Sequence, residues 1–175
     1  RVIDVVRRPY LTRAFWHVAL GQFERRAKIP TAKGHGWIDC GGTLSEANSH
    51  AVALFGLCRF FEMRRDALTE ADRKRLLAQI RIGADYFLFL ADEAEKRGMP
   101  TGTYQHEPKQ ESVWLLEDSL QIGVAVCLAY AIFKDREPPF ASRLKANVEA
   151  NYRFLSQNPR DVLNAMHAQI GRAHV

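Results

Sequence analysis

The stretch Gly34-His35-Gly36-Trp37-Ile38-Asp39-Cys40-Gly41-Gly42 holds the residues best suited to chemistry. Glycines let a backbone pass close to a ligand or adopt positive φ. An aromatic ring beside a carboxylate is the pair a sugar site needs. The flat ring faces the sugar's C–H surface, and the carboxylate serves as acid or base at the glycosidic bond. The same residues also fit a plain turn, with Trp37 tucked into the core and Asp39 capping the next helix. Glu46, at the start of that helix, either reaches the same cleft or simply suits the positive end of the helix dipole. A second polar loop, residues 99–113, carries Tyr104 and His106, and Trp114 stands at its exit. Trp114 reads either as a stacking platform or as a core residue where a helix begins. His106 reads either as a rim residue or as an exposed loop residue. His35 has the chemistry of a metal ligand, yet no partner lies at ligand spacing, so no metal is assigned and no cofactor is expected. Phosphate-binding glycine loops, a G-x-S-x-G elbow, paired C-x-x-C and H-E-x-x-H are all absent from the sequence.

These residues need elements to position them, and the patterning is helical throughout. The chain has 175 residues, 47% hydrophobic and 26% charged, a globular balance. A first helix is expected from about Pro9 to Lys28, with Phe15, Val18, Ala19 and Phe23 on one face. A second, from about Leu44 to Arg65, carries Ala51, Leu54, Leu57, Cys58 and Phe61 at helical spacing. The third has the clearest punctuation. Thr69-Glu70-Ala71-Asp72 resembles a capping box, Leu76 through Ala91 keep a 3.6-residue period, and Gly98 and Pro100 supply the stop. A fourth, about Leu115 to Phe133, is apolar on nearly every side and is expected to be buried all round. A fifth, about Pro139 to Leu155, places Phe140, Leu144, Val148 and Tyr152 on one face, and a sixth begins near Asp161. No segment alternates as a strand. Long loops precede helices two and four and short turns precede three and five, which predicts helix hairpins with one functional rim and one structural rim. The expected fold is all-α: α/α hairpins forming an incomplete part of an (α/α)6 toroid.

Here a family resemblance enters. Trp37-Ile38-Asp39-Cys40-Gly41-Gly42 resembles the G-W-x-D-A-G-D motif of glycoside hydrolase family nine, the cellulase-type inverting glycosidases. Residues 76–90 (LLAQIRIGADYFLFL) are similar to that family's E-I-x-W-G-x-D-Y-L-L-K-M helix. Tyr104-Gln105-His106 through Trp114 resembles its D-H-x-x-W substrate loop, and residues 124–155 resemble the two helices that follow. The resemblance covers roughly residues 10–156. It implies a polysaccharide substrate of β-glucan type, cleaved by acid/base hydrolysis, and a secreted or periplasmic enzyme. It places Asp39 where the family holds the attacking water, with Trp37, His35, Tyr104, His106 and Trp114 along the substrate rim. Gly42 stands where the family has its general base, and Glu46 is the candidate substitute for it. The family's general acid is a late Glu outside this sequence. Two rival readings remain: an inactive toroid that binds carbohydrate or protein, and another α/α-toroid enzyme such as an epimerase or lyase.

The formal charge is +5 with a pI of about 9.3, but the basic residues are scattered among acidic ones. That favours solvated helix faces over a nucleic-acid stripe. Cys40, Cys58 and Cys127 have no metal-like spacing, and the latter two are expected in the core. His17, His50 and His167 fall on expected helices as structural residues. The longest apolar run, residues 122–133, is shorter than a bilayer span. The opening residues already form an apolar run, so the domain is expected to continue upstream. Residues 170–175 back-translate to the opening of a common sequencing adapter, with Gln169 supplying its leading bases. The domain is therefore expected over residues 1–169, followed by a non-native tail.

Overall fold

A computed structural model describes residues 9–29, 35–39, 44–108 and 114–162, with side chains from Trp16 onward. Cys40, Gly42, His167 and the tail at 170–175 lie outside the described residues. Among the described residues five α-helices run in order: α1 Pro9–Ala27, α2 Ala47–Arg64, α3 Glu70–Lys96, α4 Leu116–Phe133 and α5 Pro138–Gln157. Residues 159–162 open a further helical turn, and no strand occurs among the described residues. The expected all-α hairpin architecture is what the chain adopts.

Local chemistry explains the boundaries. At Thr69 the side-chain Oγ1 accepts the Asp72 amide at 3.1 Å and donates to Asp72 Oδ2 at 2.9 Å, the capping interaction that its spacing predicts. Gly98, at φ +73°, follows the last turn of α3, where a Cβ would be strained. Two prolines open α5, where a missing N–H costs nothing.

Packing then sets the layers. α2 and α4 lie side by side, α3 packs on α2, and α5 packs on α4. One continuous core joins Trp16 and Leu20 of α1, Leu54 and Phe61 of α2, Ile80 and Phe87 of α3, Ile122 and Val126 of α4, and Leu144 of α5. Arg75 of α3 fastens α1 through two 2.8 Å bonds to Glu24, and this guanidinium holds the Glu24 carboxyl below its ordinary range. By length and composition α4 would pass for a membrane span, with a mean hydropathy of 1.5. A core helix has the same composition, and α4 buries Ile122, Ala125, Val126, Ala129 and Phe133.

Several sequence expectations shift by one face. Val18 is 62% exposed, because α1 turns Trp16 and Leu20 inward instead. Tyr152 is 70% exposed, and Asn151 and Phe154 take the buried side of α5. α4 is covered on most sides, yet Val124, Cys127 and Ala131 form an exposed stripe that no described element covers. Cys127 is therefore a surface thiol, whereas Cys58 is buried as expected.

Candidate functional site

The two long connections meet at one end of the helices. The Ala47 amide, at the start of α2, donates to the His106 carbonyl at 2.9 Å, so residues 44–46 and residues 97–108 after α3 share a rim. The short connections, residues 65–69 and 134–137, join the other helix ends.

Trp37 sits beneath this rim. Its ring is 2% exposed, stacks on His50 at 5.4 Å and meets Phe23 at 4.9 Å. Its indole Nε1 donates to the Gln79 amide oxygen, Oε1, at 2.9 Å. Gly83 makes room for it, since a Cβ there would overlap the indole. A ring so enclosed has no face to offer a sugar, so the stacking platform expected at Trp37 is instead a packing residue. Tyr104 behaves alike. It is 1% exposed, its hydroxyl bonds Asn147 Oδ1 at 2.7 Å, and burial pushes its phenol well above the usual range.

Asp39 is partly buried, and its Oδ2 accepts the Glu46 amide at 3.0 Å. Its carbonyl also accepts from Arg26, which anchors segment 37–39 to α1. Glu46 is the N-cap residue of α2, with its side chain partly exposed and its carbonyl bound by His50. His50 is buried and bridges two backbones: Nδ1 lies 2.8 Å from the Glu46 carbonyl, and Nε2 accepts the Trp37 amide at 2.9 Å. This fixes a neutral imidazole, and burial, the largest influence, lowers its pKa. Tyr86 packs against the same ring and donates to the Ser45 carbonyl.

The second loop supplies His106, whose Nδ1 lies 2.7 Å from Asp118 Oδ2. Asp118 is the third residue of α4 and is 2% exposed. Desolvation raises its carboxyl pKa, opposed by His106 and reinforced by the nearby charges of Glu117 and Glu46. Asp118 thus lies in the electrostatic neighbourhood of Glu46. Glu107, only 2% exposed, joins this acidic group and acts on Tyr86 together with Asp39. Sequence reasoning missed Asp118 and Glu107. The available signal for Asp118 was its place one turn before Ile122 on the buried stripe of α4, where a carboxylate requires a partner.

The remaining expected residues stand apart from this group. His35 is half-buried, stacks on Phe89 at 4.3 Å and lies 3.5 Å from Asp85. Trp114 packs edge-on against Phe154 at 5.4 Å and keeps part of its surface open. Among the described residues no group of three or more His, Cys, Asp or Glu side chains could hold a metal.

Against this geometry the known proteins can be set. No protein-family model matches the chain, and no curated protein matches it. A solved structure does: a metagenome-derived glycoside hydrolase family 9 endoglucanase, at a TM-score of 0.59 and 19% identity. The chain shares its helical-hairpin fold with that enzyme. The match covers 70% of this chain and 26% of the endoglucanase, so the chain spans about a quarter of its length. At this identity the likeness concerns the fold, and it agrees with the family resemblance seen in residues 10–156.

Proposed function

We propose that the chain is part of a glycoside hydrolase-like α/α domain whose carbohydrate site lies along the rim formed by residues 35–39, 44–46, 97–108 and 114–115. One observation carries the reading. Asp39, Glu46, His106 and Asp118, drawn from two loops and two helix starts, gather at one end of a fold shared with an endoglucanase. Hydrolysis of a β-glucan by acid/base chemistry needs two carboxyl groups flanking the scissile bond, one donating a proton and one activating water. Asp39 and Glu46 are the candidates for the water-activating role at that rim, with His106 and Trp114 as the sugar-contacting side chains. His35 lines its outer edge.

The test is reducing-sugar release from a soluble β-glucan by the full-length protein and by its Asp39→Ala and Glu46→Ala variants. Release by the parent, with a loss of about a hundredfold or more in at least one variant, is the expected result. Unchanged hydrolysis in both variants removes these carboxylates from the mechanism. A second reading is a domain that binds glycan without cleaving it. It is favoured by the engagement of Asp39 Oδ2 with the Glu46 amide, a capping role that requires no chemistry. Retained binding of cello-oligosaccharides with no product release selects this alternative.

A further inference from the structure

Outside the two assigned carboxylates, the rim contains a His–Asp pair whose geometry has its own consequence. His106 is held at two points. Its carbonyl accepts the Ala47 amide at 2.9 Å, and its ring Nδ1 meets Asp118 Oδ2 at 2.7 Å. The Asp118 side chain is 2% exposed, and the His106 side chain 14%. The carboxylate sits in the first turn of α4, where the helix dipole supports negative charge. An ionised carboxylate carries no hydrogen, so at this distance Nδ1 must be the protonated nitrogen. In the neutral imidazole the lone pair then belongs to Nε2.

We propose that Asp118 is a positioning residue that locks His106 in the Nδ1–H form, so that Nε2 presents an acceptor to a hydroxyl of a bound sugar. The contact to sugar rests on the glycan-site reading above; the tautomer lock does not. Orientation of an imidazole by a buried carboxylate is a general device, in which the second group acts only through the first. The charged groups around the pair come from each neighbouring element: Glu46 from the start of α2, and Glu117 from α4 itself. Both are acidic and act on the Asp118 carboxyl through their charge, whereas Asp118 Oδ2 is the acceptor at hydrogen-bond distance from Nδ1.

The two parts separate in one set of measurements on the full chain. Long-range 1H–15N correlation spectra of 15N-histidine protein, taken where His106 is neutral, should show Nδ1–H in the parent. Asp118→Ala should relax to the mixture of free imidazole with its amide spectrum otherwise intact, and Asp118→Asn, which keeps an acceptor oxygen, should restore Nδ1–H. Cellotetraose titrated into the same samples should bind Asp118→Ala about tenfold more weakly than the parent, the loss of roughly one hydrogen bond. An Nε2–H signal for His106 in the parent overturns the proposal whether or not any variant folds. A tautomer unchanged by Asp118→Ala overturns it too, as does equal cellotetraose affinity in parent and variant. A locked tautomer in a parent that binds no cellotetraose refutes the sugar contact and the glycan reading, and leaves Asp118 as the residue that orients His106.

Discussion

Replacing Trp37 with Phe distinguishes a packing residue from a sugar platform. The indole N–H that Gln79 accepts at 2.9 Å disappears, and the Gln79 amide, 6% exposed, keeps a buried acceptor without its donor. Stranding such a group costs roughly 1–3 kcal/mol. Shrinking a ring enclosed by Phe23, His50 and Gly83 adds roughly 1 kcal/mol, the scale of one buried methylene with its cavity. The total is about 2–4 kcal/mol, which for a chain of this size lowers Tm by roughly 4–16 °C. Adding Gln79→Leu removes the stranded acceptor, so the double variant should regain about 1–2 kcal/mol, a coupling that a double-mutant cycle reads directly. Urea unfolding followed by circular dichroism supplies the stabilities, and cello-oligosaccharide titration of folded protein supplies the affinities. Stability within about 0.5 kcal/mol of the parent together with lost glycan affinity would refute the packing assignment.

Three further outcomes follow from the geometry. His50 is held neutral with its pKa lowered by burial, so as pH falls the unfolded chain takes up the proton first. Stability should therefore be full above about pH 6.5 and decline below it toward the folded-state value, and His50→Gln should flatten that slope in urea melts across pH 5–8. Gly102 stands at φ +93°, and a methyl group there meets the Ala150 carbonyl of α5. Gly102→Ala should cost about 2–4 kcal/mol and raise amide exchange at Thr103 and Gln105. Burial pushes the Cys58 thiol up to about 12, whereas Cys127 is exposed. Iodoacetamide at pH 8 followed by peptide mass mapping should label Cys127 in the native chain and Cys58 only after unfolding.

What the sequence revealed tracks how local the cause is. The third helix was legible to within a residue, because Thr69, Asp72 and Gly98 act on backbone groups within one turn of themselves. The hairpin alternation was legible too, since loop length is written directly in the chain. The setting of Trp37 was not. It depends on Gln79 and on the absence of a side chain at Gly83, both supplied by α3 more than forty residues later. The stripe at Val124 and Cys127 misled for a related reason. Composition reports how apolar a helix is, whereas coverage depends on which neighbours arrive. Asp118 stayed hidden because a carboxylate in a first helical turn already has an ordinary explanation in the dipole, and its pairing with His106 closes only across the loop between them.

The segregation of connections, long at one end and short at the other, divides the labour of the chain. Residues 65–69 and 134–137 are short links between helices that pack on one another. At the opposite end, the bond from Ala47 to His106 ties the start of α2 to the segment after α3. Residue changes that reshape one loop will be felt by the other, so altered recognition would have to be sought by varying both together.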